Sequence, residues 1–261
     1  MASRPPLRTR PGGGRVPAED VLRAAARAAV AWSARPALER GRTLLEAAAD
    51  LEERRSVVVE ELRGSGFRLS EAVADVDAAV DETVRWAGWT DKVGAFVPRM
   101  LDLPAPGSGT VVLVLGGGGE PVRTAARTVL PVLATGGAVL LLPRPGAGRA
   151  TAQFVAGLGA ALPPGLLTDH PDWADPQVAG PLGTAAGAVG AALDLRRAVA
   201  PAPPGSAGSD GSDGRDGPDP VEALRDTLVA AGGRVVLTPS PDPTHPGPGL
   251  DVLTALTPVL R

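Results

Sequence analysis

The chain contains no cysteine, no tyrosine and no asparagine, and Lys92 is the one lysine among 261 residues. Each absence excludes something. Without cysteine there is no disulfide, no thiolate nucleophile and no cysteine metal site. Aromatic residues make up 3%, four Trp and three Phe, so the core must be built from Ala, Val and Leu. Alanine buries little area, and burial contributes roughly 25 cal/mol per Å². Modest stability, or stability borrowed from a partner chain, is expected. Arginine replaces lysine throughout, as genomic base composition would produce. The net charge of −3 gives no reason to expect nucleic acid. No run approaches the roughly 18 apolar residues that span a bilayer, so no membrane partner is expected. Arg4, Arg8 and Arg10 follow Met1, but no apolar stretch follows them, so a secretory signal is not supported. A soluble cytoplasmic protein is the expectation. The two histidines, His170 and His245, are far apart in sequence and read as exposed loop residues. A metal site needs several convergent ligands, and none is expected.

Gly (34) and Pro (28) make up close to a quarter of the chain and crowd its two ends. Residues 1–16 are rich in Arg, Pro and Gly and are expected to be disordered. Residues 201–220 (PAPPGSAGSDGSDGRDGPDP) are low-complexity linker. Small and acidic residues there cannot bury enough surface to offset ordering entropy. The Ser, Gly and Asp of Ser206–Asp216 lack the bidentate Glu and spacing of a calcium loop.

Between these ends the pattern is regular. A helix is predicted from Pro17, with Val21, Ala25, Ala28 and Trp32 on one face, ending at Pro36. A second runs from Ala37 to Leu62 with Leu44, Ala48, Leu51 and Leu62 inward, bending near Glu52 and ending at Gly64 and Gly66. A third begins at Ser70, a good N-cap, with Val73, Val76, Val80, Val84 and Ala87 inward. Asp75, Asp77, Asp81 and Glu82 read as its solvated face. Trp32, Trp86 and Trp89 read as packing residues. A further helix spans about Arg149–Leu162, and Leu166–Thr168 reads as a short strand. Asp169–Gly190 has only a weak pattern, and Ala191–Ala200 reads as a short strand or helix. Val221–Ala231 reads as a helix and Arg234–Leu237 as a strand, within a C-terminal appendage of residues 221–261.

The most informative stretch is Thr110–Pro143. An apolar run, Thr110-Val-Val-Leu-Val-Leu115, meets Gly116, Gly117, Gly118 and Gly119. Val122, Ala125, Ala126, Val129, Leu130 and Leu133 then share one helical face, and Ala138-Val-Leu-Leu-Leu142 closes the unit. Continuous apolar strands around an amphipathic helix suit a parallel βαβ crossover buried on both faces. The fold class is therefore α/β: N-terminal helices and a truncated Rossmann-like parallel sheet, then a disordered linker and a small C-terminal appendage. Gly116–Gly119 lie between strand and helix, where backbone N–H groups can receive a phosphate, and they are the candidate cofactor-binding residues. The full dinucleotide fingerprint is not present, because its third glycine falls on Pro121, and no Lys-Ser/Thr follows as in a P-loop. A plain turn is the competing reading.

Several segments, in order, resemble the N-terminal half of the aldehyde dehydrogenase superfamily, over about residues 18–195. Ala-Trp32-Ser33, then Arg40 and Arg42 ahead of Leu44-Leu45, resembles its opening helices. Trp86-Ala-Gly-Trp89-Thr-Asp-Lys92 is similar to the end of its long helix. Leu130-Pro-Val-Leu-Ala-Thr-Gly136, with Val139-Leu-Leu-Leu-Pro143, resembles its Ala-Pro-Ala-Leu-Ala-x-Gly-Asn-x-x-Val-x-Lys-Pro segment. Leu162-Pro-Pro-Gly165-Leu166 is similar to its Leu-Pro-x-Gly-Val turn.

The resemblance also marks departures. The family's oxyanion-holding asparagine falls on Gly119, and loss of one such donor costs roughly 100- to 1000-fold in rate. The asparagine after Gly136 is Gly137. The lysine that meets the adenosine ribose falls on Leu142, and the acidic residue three positions later on Pro145. No catalytic cysteine or glutamate motif follows, so the family's thiohemiacetal route is closed, and no catalytic residue is assigned. The resemblance implies a truncated, catalytically inactive family member (a pseudoenzyme), lacking a catalytic domain, that modulates a full-length aldehyde dehydrogenase or self-associates. The alternative is an NAD(P)-dependent oxidoreductase of aldehydes whose catalytic residues come from a partner subunit. NAD(P) is the one cofactor in question.

Overall fold

The computed structural model describes residues 17–101, 110–115, 120–143, 148–196 and 220–238. Prolines set the first two helix starts. Pro17 precedes α1 (Ala18–Ser33) and Pro36 precedes α2 (Ala37–Glu53), both in the extended conformation that delivers a chain into a helix. The face of α1 that is buried consists of Leu22, Ala25, Ala29 and Trp32. It is rotated from the expected one, and Val21 and Ala28 only border it. The expected bend near Glu52 is a break at Arg54, after which α3 runs over Arg55–Gly64.

Helix α4 (Leu69–Leu101) starts one residue before Ser70, which therefore does not cap it. Glu71 instead reaches back to the backbone N–H of Arg68 at 3.0 Å, one half of a capping box. Its buried stripe is Ala72, Asp75, Val76, Ala79, Thr83, Trp86, Thr90 and Val93, while Val84 is exposed. The valine face expected from sequence thus sits one residue off the true one. Two acidic residues expected in solvent, Asp75 and Glu82, are buried.

The sheet comprises β1 (Val111–Leu115), β2 (Ala138–Leu142), β3 (Leu167–Asp169), β4 (Ala192–Arg196) and β5 (Arg234–Thr238). Its order is β3-β2-β1-β4-β5, and every pairing is parallel. Ala138 to Leu142 are fully buried, as are Val111 to Val114 to within a percent, which explains why both strands read as unbroken apolar runs. The crossovers place α5 (Pro121–Thr135) and α6 (Gly148–Ala161) side by side on one face, as a common hand for both connections requires. Helices α2, α3 and α4 form a second layer over them. The opposite face carries α7 (Pro176–Ala188), α8 (Pro220–Ala230) and α1.

Helix α7 fills the stretch whose pattern was weak, and β4 settles Ala191–Ala200 as a strand start. Residues 220–238, mostly within the expected appendage, supply α8 and the fifth strand. The segments expected as disordered N-terminus and linker, 1–16 and 201–219, and the chain after 238 lie outside the described residues.

Candidate functional site at the carboxyl ends of the central strands

Strands β1 and β4 are neighbours, but the chain leaves them in opposite directions, β1 through α5 to β2 and β4 through α8 to β5. In open parallel sheets such a switch point, at the strand carboxyl ends, is where ligands bind. Gly116–Gly119 follow β1 at this point and lie outside the described residues. The described part begins at Glu120 and the first turn of α5.

That turn is already occupied. Pro121, the first helical residue, has no N–H. The next two amides both donate to Asp75 of α4, Val122 to Oδ2 at 3.1 Å and Arg123 to Oδ1 at 2.8 Å. Thr124 N–H donates to the carbonyl of Glu120 at 2.9 Å. A carboxylate here also meets the positive end of the helix dipole. Burial pushes the Asp75 carboxyl up to about 6, outweighing the two N–H donors that favour its charge. Arg123 Nη1 bridges both oxygens of Glu120 at 2.9 Å. Glu82 is buried with Arg85 at 2.8 Å, whereas Asp77 is half exposed and paired with Arg55. A groove of about 400 Å³ opens beside this turn, lined by Phe67, Ser70, Glu71, Ala74 and Glu120.

The other end of α5 is also held from a distance. Trp32 Nε1 donates to the Leu133 carbonyl at 2.7 Å, and Arg40 Nη2 to that of Ala134 at 3.3 Å. Burial lowers the Arg40 pKa. Gly136 ends the helix at φ +100°, a conformation suited to glycine, with a Cβ there 3.1 Å from Ser33. The expected packing tryptophan and the arginine after it are therefore clamps on α5. Trp86 is buried as expected, and its Nε1 finds no partner among the described residues.

The remaining positions marked by sequence are apolar or closed. Leu142 is fully buried in β2 and offers no donor. A Cβ at Gly137 would lie 2.6 Å from Val132 Cγ1 and 3.0 Å from the Thr110 carbonyl. Val132 stands where the resembling segment has alanine, and its side chain fills the space that a Cβ at position 137 would need. Pro145 lies outside the described residues. His170 is buried after β3, not exposed as expected, and its N–H donates to the Leu141 carbonyl at 2.9 Å. Burial raises the adjacent Asp169 carboxyl. Trp173, which the sequence reading passed over, is buried with Nε1 on the Pro143 carbonyl at 2.7 Å. His245 lies outside the described residues. No group of three or more His, Cys, Asp or Glu among the described residues could hold a metal. Among the same residues no helix is long and apolar enough to cross a membrane.

The family-wide sequence profile of the Aldehyde dehydrogenase family matches residues 3–171, well over half of the chain. The chain belongs to this family. None of the curated proteins matches it in sequence. The fold is similar to that of HpcC from Thermus thermophilus, at 18% identity and TM-score 0.62, covering 86% of this chain and 41% of HpcC. An NAD-dependent benzaldehyde dehydrogenase from Corynebacterium glutamicum is similar at 22% identity and TM-score 0.61, with 85% and 45% covered. Betaine aldehyde dehydrogenase from Staphylococcus aureus, in complex with NAD+, is similar at 19% identity and TM-score 0.60, with 85% and 42% covered. The chain therefore spans less than half the length of these aldehyde dehydrogenases.

Sequence reasoning missed Asp75. The signal was there: Asp75 lies three residues after Ala72 and four before Ala79, on the apolar stripe itself. Reading the stripe through the valines moved it out into solvent.

Proposed function

We propose that this aldehyde dehydrogenase-family chain oxidises no aldehyde by itself and acts by associating with a full-length family member, whose stability or assembly it modulates. One observation carries the reading: the described residues form the cofactor-half scaffold, and the sequence holds no cysteine to supply an attacking thiolate. The described residues add support. Leucine occupies the position of the ribose-binding lysine, and both free amides of the α5 first turn are taken by Asp75. Neither can greet a dinucleotide without rearrangement. The purified chain, assayed with aldehydes and millimolar NAD(P), is expected to give no reduced cofactor, and steady turnover would refute the reading. Co-purification with full-length homologues tests the partner, and recovery of none would remove it.

A second reading is favoured by the switch point between β1 and β4, which is intact. On this reading the chain binds NAD(P), as the similar benzaldehyde dehydrogenase is NAD-dependent and the betaine aldehyde dehydrogenase is in complex with NAD+, and a partner subunit supplies the catalytic groups. Titration calorimetry separates the two. Heat of binding with NAD(P) supports the second, and no heat with no melting shift supports the first.

A further inference from the structure

Strand β2 runs out through Leu141, Leu142 and Pro143, all buried and none with a side-chain donor or acceptor. In a dinucleotide-binding sheet the adenosine half lies outside the carboxyl ends of the strands on this side, where a polar side chain meets the ribose. Here the turn after β3 covers the end of β2. His170 N–H donates to the Leu141 carbonyl at 2.9 Å, one residue beyond the register of the two strands. Trp173 N–H donates to the His170 carbonyl at 3.3 Å, and Asp175 caps α7 through the Gln177 N–H at 2.9 Å. The turn is thus held at both ends. From it Trp173 reaches back across to the neighbouring strand, with Nε1 on the Pro143 carbonyl at 2.7 Å and 3% of its surface exposed.

We propose that the Trp173 indole is a built-in occupant of the base seat: a flat, buried heteroaromatic ring with its N–H on a backbone carbonyl, closing the carboxyl end of β2 to a nucleotide. An adenine ring carries a matching donor, its exocyclic amino group, on a flat face of similar size. One ring can fill the seat, not both. The tethered ring has the advantage, because a free ligand loses translational and rotational freedom on seating and the side chain does not. Place decides this, not residue type. Trp32 also sets its indole N–H on a carbonyl, that of Leu133, but at the end of α5 remote from the strand carboxyl ends. The seal rests on the first of the two readings above and adds Trp173 to the obstacles at Leu142 and Asp75.

Titration calorimetry with AMP on the full chain tests this. The wild type is expected to give no heat. Trp173→Ala is expected to bind AMP with a Kd of about 1 mM and to ignore ribose 5-phosphate, which lacks the base. AMP bound by the wild type overturns the seal, as does a folded Trp173→Ala that takes no AMP or takes ribose 5-phosphate equally well. If Trp173→Ala does not fold, NMR of the wild type with nitrogen-labelled indoles decides. The indole N–H signal that Trp173→Phe removes is expected to stay in place in millimolar AMP, and its displacement overturns the seal. A Trp173→Ala protein that binds nothing leaves the first reading standing, since that reading is judged on wild-type turnover and recovery of a partner.

Discussion

Trp32 and Trp86 are buried alike, each 1% exposed, but only Trp32 has an acceptor for its indole N–H. Replacing either by Phe leaves a similar void. Trp32→Phe also strips a hydrogen bond from α5, whereas Trp86→Phe relieves an unpaired donor. The first is expected to cost about 1–3 kcal/mol more than the second, read from urea unfolding. Equal costs would show that the Trp32 bond adds nothing. The buried acids set a second expectation. Asp75 and Asp169 both have raised carboxyl pKa values, so between the unfolded value near 3.8 and the folded value the native state holds the extra proton. Their contribution is full below pH 4 and declines as pH rises, on the order of 3 kcal/mol for Asp75 by pH 7. Asp75→Asn is expected to flatten stability against pH between 4 and 6.5 in chemical unfolding, and an unchanged slope would contradict this. That Trp32 packs inward was legible, because tryptophan on an apolar stripe has little choice. That it bonds to residue 133 was not, because the acceptor is a backbone carbonyl 101 positions away.

Helix α7 shows what periodicity cannot report. Its sequence, PQVAGPLGTAAGA, has few large apolar residues to mark a face. Its packing against α8 depends on what is missing: a Cβ at Gly183 would lie 2.1 Å from Thr227 Oγ1 and 2.5 Å from the Leu224 carbonyl. At Gly187 it would meet Ala231 Cβ at 2.4 Å. Gly180 is different, with its nearest neighbour at 4.0 Å. Gly183→Ala is therefore expected to destabilise by about 1–3 kcal/mol through overpacking. Gly180→Ala is expected to be neutral or to stabilise by roughly 0.5–1 kcal/mol through helix propensity. Matched denaturation curves check the contrast, and a Gly183→Ala protein as stable as the parent would refute the close approach. The pair Val132 and Gly137 supports a double-mutant cycle. Gly137→Ala is expected to cost about 1–3 kcal/mol alone and less in a Val132→Ala background, and strict additivity would argue against their contact.

The whole sheet was partly legible. Its two central strands stood out because burial on both faces leaves no polar residue to interrupt them. Strand β5 was legible too, as Arg234–Leu237, but its pairing with β4 was not, because residues 197–233 separate the two strands in sequence while they are joined in register from Ala192↔Arg234 to Arg196↔Thr238. Ending the chain after Arg196 would uncover the face of α7 at Gly183 and Gly187, which packs closely against Leu224, Thr227 and Leu228 of α8. Such a protein is expected to lose its sharp thermal transition and to bind a hydrophobic dye. A cooperative, monomeric product by calorimetry and size exclusion would show that α8 and β5 are dispensable. The clamps on α5 have an ordering that matters during synthesis. Trp32, Arg40 and Asp75 all precede Pro121 in the chain, so on the ribosome the receiving groups emerge before the helix they receive. These three contacts of the crossover helix need nothing that is still being translated, whereas its packing on β2 and α6 must follow.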